Sequence, residues 1–145
     1  MTTRLFALFL VILLGAPSST VAAAKSQPLA IPDFTRGDAV PAGAKHDWNL
    51  GPTGLRGWMF CDKMVTTDAR QISITQVDRG SPAEGILAVG DVILGVGGKP
   101  FSYDPRTEFG KAVTLAESET GGGRLAVSRW RAGKVEDVVV RLPVL

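Results

Sequence analysis

Residues 71–101, QISITQVDRGSPAEGILAVGDVILGVGGKPF, constrain the fold of this chain more tightly than any other stretch. Ile72 and Ile74 alternate with Ser73 and Thr75, and Val77 continues the apolar face, which is the two-residue period of a half-buried strand. Asp78-Arg79-Gly80 is a turn. Ser81-Pro82 reads as the start of a short helix, with a hydroxyl at the cap and proline at the first position, and Gly85 ends it. Gly90-Asp91 turns the chain into Val92-Ile93-Leu94, which is too apolar to face water. Gly97-Gly98 closes a hairpin, where glycine takes positive dihedrals without a Cβ clash.

In their order and spacing, Gly80-Ser81-Pro82-Ala83, then Leu87 through Ile93 (LAVGDVI), then Val96-Gly97-Gly98 resemble the central part of a PDZ domain. Gly97 departs from the asparagine common before the turn glycine, and either residue tolerates the left-handed region. The resemblance extends over residues 47–145. It implies a mainly β, α+β fold with two short helices, built as a small, partly open β-barrel or sandwich. It also implies a non-catalytic module that binds an extended peptide by strand addition.

The rest of the chain is read around that domain. Arg4, the apolar run Leu5 to Leu14, and Ala22-Ala23-Ala24 make residues 1–24 a cleavable signal peptide, too short in its apolar run for a stable membrane span. The expected location is therefore exported, periplasmic or secreted. Residues 25–46 hold Pro28, Pro32 and Pro41 and no periodicity, which predicts a linker or arm with little order as far as Ala44. Sixteen basic residues against 14 acidic ones give a net charge of +2, too balanced for a nucleic-acid surface. Arg124, Arg129 and Arg131 read as a solvated face. Cys61 is the only cysteine, so no internal disulfide is possible, and it reads as a small core residue in a strand Trp58 to Cys61.

By the same resemblance, Leu55-Arg56-Gly57-Trp58 is the loop whose N–H groups receive a peptide's terminal carboxylate, and Trp58-Met59-Phe60-Cys61 is the strand beside which the peptide lies. Arg56 stands where the family has an apolar residue. It either contacts the carboxylate or points to solvent. Asp104-Pro105 starts a helix running to Glu117, with Phe109, Ala112, Val113 and Ala116 on one face and Leu115 off the stripe. The resemblance places Phe109 where it selects an apolar ligand side chain, although the residue by itself reads as ordinary core. The last third is a hairpin, Arg124 to Arg131 and Val135 to Leu142.

Enzyme chemistry has little to work with. His46 is the only histidine, no nucleophile motif accompanies it or Cys61, and one His with one Cys is no four-ligand metal site. Gly95, Gly97 and Gly98 close a hairpin and open no helix, so they are no dinucleotide loop. No cofactor is expected. The expected partner is a peptide or protein C-terminus with apolar side chains. The alternatives are a structural or autoinhibited domain whose groove is filled by Leu29, Ile31 or Phe34, or the substrate-recognition part of a larger exported protease.

Overall fold

The computed structural model describes residue 15 and residues 30–44 and 46–145. The signal-peptide reading, apart from Gly15, and the groove filler Leu29 lie outside the described residues.

Seven strands and one α-helix make up the domain: β1 Trp48–Asn49, β2 Leu55–Trp58, β3 Ile72–Val77, β4 Val92–Val96, β5 Lys99–Pro100, α1 Pro105–Glu117, β6 Arg124–Arg131 and β7 Lys134–Arg141. They form one antiparallel sheet in the order β1-β2-β3-β4-β6-β7, with β5 paired on β4 alone. Among the described residues the path runs open from β1 to β7 and does not close on itself.

The alternation of β3 does what its sequence predicts. Ile72 and Ile74 are buried while Ser73, Thr75 and Gln76 reach the surface. In β4, Ile93 enters the main core with Leu55, Met59, Leu125, Val127 and Val140, and Phe109, Val113 and Ala116 of α1 close that core from the same side. Val92 and Leu94 point to the other face, where they join Trp58, Trp130 and Phe34. Burying a side chain of this size contributes about 1.5–3 kcal/mol, so the two apolar layers supply most of the stability.

Helix α1 begins as expected. Asp104 caps it by accepting from the Arg106 N–H at 3.0 Å, and Pro105 occupies the first turn. The buried Thr66 hydroxyl donates to the same Asp104 oxygen at 2.7 Å, tying the loop before β3 to the helix start. Leu115, off the apolar stripe, is exposed rather than in the core.

Three expectations are corrected. Ser81-Pro82 opens a run of turns, not a helix. The Ala83 N–H donates across to the Thr53 carbonyl at 3.1 Å, and Gly85, at φ +80°, reverses the chain before a second helical turn can form. The arm is not loose where it is described. Asp33 caps a 3-10 turn, Phe34–Arg36, and Phe34 meets the Trp58 ring edge-on at 5.7 Å. The Phe34 N–H donates to Gln71 Oε1 at 2.8 Å, and Gln71 Nε2 donates to Asp33 Oδ1 at 2.9 Å, so residues 33–40 seal the face of the sheet opposite α1. The arginines of β6 are not a simple solvated face. Arg131 grips the buried Asp91 through two contacts of 2.7 Å, and Arg129 reaches Glu136 at 2.6 Å and the Ile86 carbonyl at 2.8 Å. Asp91 also accepts from the Ala88 N–H at 2.8 Å, which holds the Gly-Asp corner.

Candidate functional site

The loop between β1 and β2 is built from glycine geometry. A 3-10 turn, Gly51–Thr53, ends on Gly54 at φ +77°, where a Cβ would run into the Ser81 side chain. Its N–H groups are engaged within the chain. Leu50 donates to the Leu55 carbonyl at 2.9 Å, Gly51 to Asn49 Oδ1 at 2.9 Å, Gly54 to the Gly51 carbonyl at 3.3 Å, and Leu55 to Thr53 Oγ1 at 3.2 Å. These donors do not converge on an open point.

β2 has both edges occupied. One pairs with β3, with a bulge between Arg56 and Gly57; the other pairs with β1, Trp48 opposite Gly57 and Asn49 opposite Arg56. β2 ends at Trp58, so Met59, Phe60 and Cys61 are not strand. Met59 is fully buried, and Phe60 is half-buried between the two cores. The chain's own residues 48–50 therefore occupy the edge of β2 at Leu55 to Gly57, next to the Trp58 to Cys61 stretch beside which the peptide was expected.

Arg56 neither faces a carboxylate site nor points to free solvent. Its Nε and Nη2 lie 3.0 and 2.7 Å from Asp47 Oδ1, and the Thr75 hydroxyl donates to Asp47 Oδ2 at 2.8 Å. The Arg56 guanidinium holds the Asp47 carboxyl below the usual range; partial burial opposes it and Thr75 reinforces it. Gly57 needs to be glycine for packing, because a Cβ there would meet Ile72 Cγ2. A β-branched residue at Gly57 would therefore disturb the packing of β2 on β3 itself.

A cleft opens between β1 and α1, with a volume of about 250 Å³. Trp48 and Leu50 line one side; Arg106, Phe109, Gly110 and Val113 line the other. Its walls are predominantly apolar. Leu50 and Phe109 form the floor and belong to the core as well. Of the expected groove residues, the structure brings Phe109 and Val113 to this cleft. Ala112 and Ala116 pack on the core, and Leu55 to Phe60 lie outside its walls. Sequence reasoning missed Trp48, Leu50, Arg106 and Gly110. Arg106 and Gly110 were within reach, since Arg106 sits three before Phe109 and Gly110 three before Val113, on the same side of the helix.

Arg106 lies over the Trp48 ring, its guanidinium carbon 5.6 Å from the centroid. Gly110 leaves a notch in the helix wall, with open space where a Cβ would stand. β1 offers the cleft one residue's worth of backbone. Because Leu50 faces β2, alternation along the strand turns the N–H and C=O of Asn49 away from it.

Cys61 is half-buried rather than core, and shares a small cavity with His46, Trp48 and Trp58. Phe34 packs on the opposite face of the sheet and Ile31 is exposed, so neither fills the cleft. Among the described residues, no three His, Cys, Asp or Glu side chains gather as a metal ion requires, and no helix is long and apolar enough to cross a membrane.

Residues 51–108 match the family profile described as the PDZ domain. The matched span runs from the loop after β1 into the first turn of α1 and leaves β1 outside. No curated protein matches the chain significantly.

Proposed function

This chain carries a PDZ domain, a class of generally non-catalytic peptide- and protein-binding modules, and from that premise we propose that it takes an extended peptide with apolar side chains in the cleft between β1 and α1. The observation that carries this reading is the cleft itself: apolar walls from Trp48, Leu50, Phe109 and Val113, with the backbone of Asn49 turned toward the space. One ligand side chain packs on Phe109 and Val113 while the ligand backbone pairs with Asn49. A free C-terminus is not required by this geometry, since the loop donors at Leu50, Gly51, Gly54 and Leu55 already have acceptors. The N-terminal signature, Arg4 followed by the apolar run and Ala22 to Ala24, supports an exported module.

Gly110→Leu tests the site. Leucine suits a helix interior better than glycine by about 0.5–1 kcal/mol, and open space at Gly110 leaves room for its Cβ, so the fold survives. The new side chain fills the notch. Binding to a library of apolar peptides, free and amidated, should fall at least tenfold in this variant while its Tm holds or rises. Undiminished binding would remove the cleft from consideration.

A second reading has its own observation. β1 pairs on the edge of β2 where strand addition is expected, so the chain fills its own groove. A ligand then has to displace β1. A cross-link holding β1 on β2 abolishes binding under this reading and leaves it intact under the first.

A further inference from the structure

Arg106 is the charged side chain in the wall of the cleft, and we propose that it reads an acidic side chain of the ligand. The peptide taken between β1 and α1 would carry Glu or Asp two or three residues from the apolar side chain that packs on Phe109 and Val113. This inference rests on the cleft being the peptide site.

Three observations carry it. First, Arg106 is held but unpaired. Several surface cations lack a carboxylate partner among the described residues, and of these Arg106 is the one that lines the cleft. Glu108, its neighbour on the helix, turns instead to the N–H groups of Ser102 and Tyr103. Second, the position over Trp48 fixes the guanidinium without using its donors. The contact with the ring takes none of the guanidinium's N–H donors, and their fork matches a carboxylate. Third, the cation extends beyond the cleft. Lys111, also without an ion-pair partner among the described residues, lies with Arg106 along the outer surface of α1 beside the Gly110 notch.

The spacing decides between an acidic side chain and a chain terminus. The 3-10 turn Gly51–Thr53 packs against α1 and bounds the Leu50 end of the cleft; Trp48 and Arg106 stand at the other end. Seven helical residues separate Arg106 from Val113, an axial distance of about 10 Å. An extended peptide covers that in about three residues. A terminus abutting the 3-10 turn therefore lies too far from Arg106, and the group within its reach belongs to a residue further along the ligand.

The test uses the full chain and two peptide series, Glu-x-Val and Glu-x-x-Val with apolar x, each paired with its Gln counterpart and each made with free and amidated ends. Affinity is read by fluorescence anisotropy. Pairing with an exposed arginine predicts that Glu peptides bind about two- to fivefold more tightly than Gln peptides, whether or not the end is amidated. Raising the salt should narrow the gap. Arg106→Gln should erase the Glu preference while retaining binding of the Gln peptides, and Arg106→Lys should restore part of it. Arg106 is exposed, so neither change empties the core. Equal affinity for Glu and Gln peptides, with binding still blocked by Gly110→Leu, would overturn the role of Arg106 and leave the cleft standing. Affinity lost on amidation but not on Glu to Gln would overturn it in favour of a terminal carboxylate. Binding indifferent to Gly110→Leu would bring down the cleft and this inference together.

Discussion

Asp47 is the residue on which the first turn of the domain hangs. It joins the guanidinium of Arg56 on β2 to the hydroxyl of Thr75 on β3, just before β1 begins. Folding lowers its pKa, chiefly through the Arg56 hydrogen bond. A carboxyl with a depressed folded pKa adds stability at pH values above its unfolded pKa, about 3.9, and that contribution is lost as pH falls through the folded value. Asp33 and Glu136 are lowered too, by Thr35 and Lys134 respectively, so the protein should lose stability in acid by several small steps. Asp47→Asn removes one of them. The variant should be less stable than the parent at pH 7, and the difference should close below about pH 4. Thermal unfolding of both proteins from pH 7 to pH 2 checks this; a constant difference across that range would show that Asp47 acts by packing and not by charge.

At the scale of elements, the arm and α1 make opposite contributions. The arm seals an apolar face: Phe34 is 6% exposed and meets Trp58, beside Val92 and Trp130. Phe34→Ala should cost about 3 kcal/mol, the lower end for a buried phenylalanine, and should shift tryptophan emission to the red as Trp58 gains water. Urea unfolding followed by fluorescence measures both; an unchanged midpoint would mean that the arm is decoration. The sequence offered Phe34 as a groove filler but not its place on the opposite face of the sheet, and the reason is physical. Phe34 stands alone among prolines and glycines, without a repeat to give it a face, and its partners Gln71 and Val92 are far along the chain. The same holds for Asp91 with Arg131, Thr66 with Asp104, and Asp47 with Arg56, because no local rule links two polar residues across the fold. What the sequence did show were elements whose signals are local: the alternation of β3, the Gly-Asp corner before β4, the Gly97-Gly98 hairpin and the Asp104-Pro105 start of α1. Ser81-Pro82 carried the same kind of local signal and still formed turns, since Ala83 found its acceptor in Thr53 across the fold. The helical stripe put Phe109 and Val113 on one face of α1, and both line the cleft, whereas a two-residue strand such as β1 has no period to read.

For the whole molecule, the question is which edge of the sheet receives a partner. Among the described residues, β1 and β7 are the ends of the sheet. β7 offers eight residues, but Lys134, Glu136, Asp137 and Arg141 stud it with charge of both signs, which discourages pairing with an added strand. β1 offers Asn49 alone, yet it lies in the apolar cleft. A ligand that adds to β1 gains few backbone bonds and must draw its affinity from Phe109 and Val113. A ligand that displaces β1 gains the edge of β2, but first has to expose Leu50, 5% exposed in the folded chain, and break the β1–β2 pairing. Uncovering that leucine costs about 1.5–3 kcal/mol. Two broken backbone bonds add about 1 kcal/mol each, for a total near 4 kcal/mol. The ligand's own bonds to β2 have to offset that cost, worth roughly a thousandfold in affinity, before displacement competes with addition. A disulfide between Asn49→Cys and Arg56→Cys, with Cys61→Ser to prevent mispairing, decides the matter. The two positions face each other across the strands at a non-hydrogen-bonded pair, where side chains approach most closely. Peptide affinity should be the same in the oxidised and reduced forms of this variant if the ligand adds to β1. Binding seen only after reduction would mean that β1 leaves, and that the chain holds its groove shut until a ligand opens it.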